Sequence, residues 1–556
     1  MDYSKILFLA AAAVLVIWLM VRRNRSDRKA FFAEQRRTWG AVPKAGRTDE
    51  EIRLLRTYAE REEEESSSSF SLDALTWNDG EMNSLFRRMD GCVSDPGREV
   101  LLDWLTHPLP EEETYRRRRA LIRAFSEQER LRDAAAEALA GLREKKCTSF
   151  YADMRELDGA QELSAAPFVL LAGLTVLSVV LLFFVPVPAI VLLLAVLIAD
   201  FSVRIRIRGT TGRQLAGISR ILALIRCGKK LAKACLPELT EEYKSCTEGL
   251  AGFARGAFVV SGSGSYDTGF SAAVLEYVKL LFHVDLIKFN QMLGIFRKKR
   301  SLVLRLFRAV GEADAALACA SFRESLPFSC EPEFQEQADA LCAEDLFHPL
   351  LADPVPNGGT FRGGHLITGS NASGKSTFLR SLLAGAVLAQ TAGIAPAARW
   401  AGPRFRICSS MSVRDSLTGG ESYFMAEIRA VKRMLLASEE QEPSLLLIDE
   451  LLRGTNTAER IAASAGILQY LQRGRTLLFC ATHDLELTTL AGPKIRNLHF
   501  QEDLEDGDVR FRYRLLEGPS DTTNAIALLR ADGFPREITE EAERLAGELV
   551  KGGTAR

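Results

Sequence analysis

Several things are scarce in this chain of 556 residues. There are six scattered histidines and ten cysteines, and no cysteines form a Cys-x-x-Cys pair. The spacing shows neither a zinc site nor a disulfide framework, and fits reduced thiols in a cytosolic body. No sign of charge prevails: 71 Lys plus Arg face 72 Asp plus Glu, a formal net of −1. A nucleic-acid binder is usually basic, so the average carries no such signal. An average can still hide segregated blocks. There is no long-period repeat. With 47% hydrophobic and 26% charged residues, the chain is too apolar to be mostly disordered. Its length suggests three or four domains of roughly 150 residues each.

Long apolar runs are present. Residues 6–21 read ILFLAAAAVLVIWLMV and are followed by Arg22, Arg23, Arg25, Arg28 and Lys29. A spanning helix needs about 20 mostly apolar residues, with roughly 17 as a lower limit. The positive charge follows the run and no small-residue cleavage site precedes it, so an uncleaved anchor is expected rather than a signal peptide. Nine basic and two acidic residues lie between 22 and 48, which puts the following chain in the cytoplasm. A second apolar block, residues 167–199, is broken by Val185-Pro-Val-Pro188. Two central prolines disfavour one helix. A hairpin of two short spans or a re-entrant pair fits better, the alternative being a buried hairpin in a soluble core. Nine basic residues and no acidic one follow in 201–237. The acidic stretch 49–65 and the serines after it read as a solvated linker. The expected organisation is an anchor (1–25), a charged linker (26–69), a helical core (70–166), a transmembrane hairpin (167–203), a second helical core or lever (204–345) and a C-terminal domain (346–556).

Gly369-Ser-Asn-Ala-Ser-Gly374-Lys375-Ser376 fits the phosphate-loop pattern. It stands between a short buried strand, His365–Thr368, and an apolar helix from Thr377. The expected nucleotide cradle is Gly369, Ser370, Asn371, Ala372, Ser373, Gly374, Lys375, Ser376 and Thr377, with glycines letting backbone N–H groups approach phosphates at a helix N-terminus. Lys375 would reach the β- and γ-phosphates, and Ser376 would ligate magnesium. A second strand ends in Asp449-Glu450. Asp449 would support the metal and Glu450 would polarise the attacking water. A third apolar run ends in His483, placed to contact the γ-phosphate or the water. Strands joined by helices imply an α/β, mostly parallel sheet with its ligand at the carboxyl edge.

These residues resemble the MutS family of mismatch-repair ATPases. The Asn371 form of the phosphate loop is typical of it. Asp449-Glu-Leu-Leu-Arg-Gly-Thr-Asn-Thr457 looks like its D-E-x-x-R-G-T-x-T, and Ala481-Thr-His-Asp-Leu-Glu-Leu487 like its A-T-H-x-x-E-L. Asp415 to Glu427 resembles its signature loop, which implies that Ser422 reaches the γ-phosphate bound to an opposite subunit. The resemblance thus implies an ABC-like α/β ATPase domain, an all-α lever and core, ATP with Mg2+, a homodimer and DNA. Upstream, Gly97–Pro108 and Ala320–Leu350 resemble the family more weakly.

The departures matter as much. Only about 50 residues separate the first apolar run from the core, too few for the family's mismatch-reading and connector domains. Asn524-Ala525 replaces its aromatic-glycine pair, and an apolar hairpin interrupts the helical core. The expectation is a multi-pass protein of the cell membrane, with about three spans and a cytoplasmic MutS-like ATPase acting on DNA. The basic stretches 201–237 and Arg297–Arg308 are candidate phosphate contacts, or a topology signal and a solvated helix face. The competing readings are an ABC-type transport ATPase, suggested by Leu417-Thr-Gly-Gly-Glu421, and a signalling scaffold without DNA.

Overall fold

A computed structural model describes the chain except for residues 1–21, 23–29, 44–45, 61–69, 145, 161–163, 235–236, 258–281, 283, 371–372, 412–422, 506–507, 521–525, 527–528, 531–532 and 554–556. The first apolar run, most of the signature loop including Ser422, the residues Asn371 and Ala372, and the pair Asn524-Ala525 lie outside the described residues. The chain divides into two compact units. One comprises 1–65, 90–103 and 120–324, and the other 66–89, 104–119 and 325–556.

The first unit is helical. Its main elements are α1 (Asp95–Thr106, which runs on past this unit), α2 (Phe150–Asp158), α3 (Ala165–Leu181), α4 (Pro186–Leu231), α5 (Pro237–Gly249), α6 (Val284–Lys298) and α7 (Arg300–Glu324). Helix α7 is the core. It is buried without a break from Ala309 to Ala320, and its small residues let neighbours close in. A Cβ on Gly311 would lie 2.4 Å from Val100 Cγ2 and 2.7 Å from the Pro96 carbonyl. Buried carboxylates hold the helix starts. Asp314 accepts from the Val93 and Ser94 backbone N–H at 2.9 and 2.7 Å and from the Ser94 hydroxyl. Glu99 accepts from the Phe150 and Tyr151 N–H and the Ser149 hydroxyl at the N-terminus of α2. A carboxyl there satisfies orphan donors of the helix start, and burial pushes the Glu99 carboxyl up to about 8. Burial pushes the Asp314 carboxyl up to about 6.

Three sequence expectations need correction in this region. The acidic stretch after residue 48 is not solvated linker throughout. Asp49–Leu55 is a helix closed by a Thr48–Glu51 capping box, and Ile52 and Leu55 are buried. Pro186 and Pro188 do break the apolar block, and the helix that follows crosses the domain boundary expected at 203. It runs on through 46 residues to Leu231, because Pro186 and Pro188 sit in its first turn, where proline is tolerated. Finally, Arg297–Arg308 is not simply a solvated face. Arg297 donates to the Ala160 carbonyl, Lys299 to the Gly249 carbonyl and Arg308 to the Tyr58 hydroxyl, while Arg300 pairs with Asp158. Among the described residues one segment, Pro186–Val203, is long and apolar enough to cross a membrane, and Ala166–Leu181 is a shorter apolar helix.

The second unit is α/β. Its strands are β1 (Glu333–Phe334), β2 (Ala340–Leu346), β3 (Asn357–Arg362), β4 (Gly364–Thr368), β5 (Arg399–Gly402), β6 (Arg406–Ser410), β7 (Ser444–Asp449), β8 (Thr476–Ala481), β9 (Ile495–Glu505) and β10 (Asp508–Glu517). A six-stranded sheet has the order β10-β9-β4-β8-β7-β6, and a four-stranded sheet the order β1-β5-β2-β3. In the larger sheet only the β9–β10 pair is antiparallel. Its central strands are covered on both faces, and β4 and β8 are buried at every residue. Helices α8 (Lys375–Ala392), α9 (Tyr423–Ser438) and α10 (Thr457–Leu471) follow β4, β6 and β7. Residues 70–89, expected in the helical core, belong here instead. The buried Asp79 accepts from the Ser409 hydroxyl at 2.7 Å and the Met411 N–H at 2.8 Å.

Candidate active site

Parallel strands end on one edge, and three of them bring the sequence motifs together there. β4 runs into Gly369, whose φ is +137°. A Cβ at this position would lie 2.9 Å from the Phe500 carbonyl oxygen, so only glycine suits both the angle and the close approach. Gly374, at φ +108°, is the residue from which α8 starts. Within this loop the Ser373 hydroxyl donates to the Ser370 carbonyl at 2.8 Å. Lys375 is 3% exposed, and its ammonium donates to the carbonyls of Gly369 and Ser370 at 2.6 and 2.5 Å. Thr377 follows in the first turn of α8, beside Ser376.

The second strand, β7, places its carboxylates against this helix start. Ser376 Oγ donates to Asp449 Oδ2 at 2.5 Å. A hydroxyl and a carboxylate this close are a hard-oxygen pair that suits Mg2+, a cation that takes one or two protein carboxylates and fills its shell with water and phosphate. Among the described residues no cluster of three or more His, Cys, Asp and Glu side chains competes as a metal site.

Glu450 has φ +61°. A non-glycine residue in the left-handed region is costly and is concentrated at functional sites. Its N–H donates to the Ala481 carbonyl of β8 at 2.9 Å, which locks this backbone to the neighbouring strand. Its carboxylate is held from both sides, by His483 Nε2 at 2.8 Å and by Arg453 Nε at 2.5 Å. The bond to His483 first, then the charges of Arg453, His483 and Lys375, hold the carboxyl below its usual range despite partial burial. The next residue in the chain, Asp484, is clamped by Arg460 at 2.6 and 3.0 Å. The buried Glu427 of α9 accepts from the Arg453 N–H at 3.2 Å, so the described end of the signature stretch packs on the Asp449-Glu450 loop.

Ser370, Ser373, Lys375, Ser376, Asp449, Glu450 and His483 therefore share one edge with Gly369, Gly374 and Thr377. Asn371, Ala372 and Ser422 lie outside the described residues. Arg453 was not singled out in the sequence, although it stands in the same motif three positions after Glu450. Also missed was a cavity of about 460 Å3 beside Lys375, Ser376 and Thr377, bounded by His348, Phe500 and Tyr513. Asn357 holds the strand that carries Tyr513, donating to the Tyr513 carbonyl and accepting from the Leu515 N–H. The sequence offers no local signal for this wall. Its residues come from the segment after β2 and from the β9–β10 hairpin, far apart in the chain.

The MutS domain V family profile matches residues 365–550. The DNA mismatch repair protein MutS of Thermus thermophilus is 37% identical over 186 residues, which is 33% of this chain and 23% of that protein. The protein of the same name from Haloquadratum walsbyi is 34% identical over 251 residues, 42% of this chain and 26% of the relative. That from Natronomonas pharaonis is 32% identical over 259 residues, 44% of this chain and 30% of the relative. The chain thus spans less than a third of the length of each of these proteins.

Proposed function

We propose that this chain, of the MutS family and with residues 365–550 as its domain V, is a membrane-anchored, Mg2+-dependent ATPase. It works as a homodimer and couples its ATP cycle to DNA. The observation that carries the ATPase reading is the convergence of Lys375, Ser376 with Asp449, and Glu450 with His483 on one sheet edge. Magnesium bound at Ser376 and Asp449 supplies charge neutralisation to the β- and γ-phosphates. The loop from Gly369 to Thr377, Asn371 and Ala372 included, cradles the phosphates. Lys375 leaves its carbonyl partners to meet their charge. Glu450 orients the attacking water, and His483 and Arg453 keep it ionised and aimed. The purine and ribose occupy the cavity walled by His348, Phe500 and Tyr513. Ser422 completes the site of the opposite subunit, which makes the homodimer a requirement of turnover.

The DNA part rests on what the named relatives act on. The membrane part rests on the apolar runs and their basic flanks. The transporter reading gains no support from the site, since the sequence after Asp449 follows the MutS pattern. ATP hydrolysis by the full chain, with and without Mg2+ and with Glu450→Gln, tests the first part. Binding of duplex, mismatched and branched DNA across a salt series, with and without ATP, tests the second. Affinity should fall steeply with salt if phosphates are contacted, and no binding at low salt would remove DNA while leaving the ATPase standing.

A further inference from the structure

The apolar hairpin of α3 and α4 is built inside out. A hairpin in water buries Leu, Val and Phe and exposes its hydroxyls. Here Thr175 and Ser178 are buried, 2% and 0% exposed, together with Phe168, Ala189 and Val196, while Leu170, Val191 and Ile198 face outward. Both hydroxyls are satisfied within their own helix, Thr175 Oγ1 on the Leu171 carbonyl and Ser178 Oγ on the Thr175 carbonyl. The seam therefore asks nothing of water. The outer face is continuous apolar surface, and no charged residue occurs between Glu162 and Asp200.

The apex is the informative part. Phe183 and Phe184, 86% and 76% exposed, lead through Val185 to Pro186, and the whole turn from Leu181 to Ala189 contains no polar side chain. A turn that emerges into water carries Gly, Asn, Asp or Ser, and one that stops at an interface carries Trp or Tyr. The arms also sit at the lower limit for a crossing. The 17 residues of α3 and the 18 of Pro186–Val203 extend about 26 and 27 Å at 1.5 Å per residue, against a hydrocarbon core of about 30 Å. The base has the opposite character: Arg204, Arg206 and Arg208 follow the second arm in sequence, complementary to anionic headgroups.

Resting on the membrane reading proposed above, we infer that this hairpin is re-entrant. It enters the bilayer from the side of the ATPase, and its Phe183-Phe184 apex ends in hydrocarbon without reaching the far surface. Helix α4 then continues unbroken from lipid into the helical core, as far as Leu231.

The test is Phe184→Cys in the full chain, labelled with a membrane-impermeant maleimide. All ten native cysteines lie outside residues 1–25 and the hairpin, so the unaltered chain supplies the background. The added thiol should stay unlabelled in intact cells and in inside-out vesicles, and its labelling should rise several-fold in detergent. Labelling from outside intact cells would mean a crossing hairpin, overturning the inference while leaving the membrane reading intact. Labelling in inside-out vesicles without detergent would put the apex in cytosolic water, and the membrane reading of this hairpin would fall with it. Phe184→Trp emission should also be quenched by brominated acyl chains. Protection without that quenching would assign the cover to a second copy of the chain and overturn the inference.

Discussion

Glu450 Oε1 lies 2.8 Å from His483 Nε2, which joins the ends of β7 and β8 at the edge where the phosphate loop begins. Glu450→Gln keeps the shape of the side chain and removes its charge. ATP hydrolysis should fall by about 100-fold or more, while nucleotide binding, measured by titration calorimetry, stays within a few-fold. Unchanged turnover would take Glu450 out of its role.

Arg453 and His483 together hold the Glu450 carboxyl below its usual range. Removing either partner lets that pKa rise. In Arg453→Ala or His483→Phe the acid limb of the ATPase pH profile should therefore move to higher pH, because a larger fraction of Glu450 is protonated at any given acidic pH. A profile that only scales down, with no shift of the limb, would assign these residues to packing alone.

Tyr513 and Ser376 border the same cavity and should fail differently. Tyr513→Ala should weaken ATP binding by about tenfold, the worth of one aromatic stacking contact, with kcat little changed. Ser376→Ala should lower kcat and raise the magnesium concentration needed for half-maximal activity. Steady-state kinetics across ATP and Mg2+ series separate the two.

His365 is buried in β4 and stacks on Phe479 at 4.9 Å. Burial, with Arg496 adding, lowers its pKa to about 4, below the ordinary 6.5. For a base with a depressed folded-state pKa, the stabilisation is full above about pH 6.5 and is lost as pH falls toward 4. Between pH 7 and 5 this amounts to about 2 kcal/mol. In His365→Phe the urea midpoint should depend less on pH across that window, and an unchanged slope would refute the assignment.

In the helical unit, Asp314→Ala leaves two backbone donors and the Ser94 hydroxyl without their acceptor. Buried donors left unmade should cost about 3 kcal/mol, read as a lower thermal midpoint of the full chain.

Much of the site was legible because its chemistry is local. The phosphate loop, Asp449-Glu450 and His483 each stand at the end of an apolar run, and residues at the carboxyl ends of neighbouring parallel strands must meet. Arg453 and the cavity wall were not read because they depend on how a loop turns and on which hairpin folds over the helix start. The positive φ of Glu450 aims its carboxylate, and no residue pattern announces such an angle.

By itself the sequence determined the phosphate loop, the strand-end acids, the apolar hairpin with its proline break and the resemblance to one family, since each is a run of residue types whose physical meaning does not depend on distant partners. Tertiary structure alone decided the rest. It set Asp314 under the start of α1, Asn357 behind Tyr513 and His483 on Glu450, and it showed that the helix after Pro186 continues to Leu231. Those facts depend on contacts between residues far apart in the chain, or on packing that carries a helix past the end of its apolar pattern.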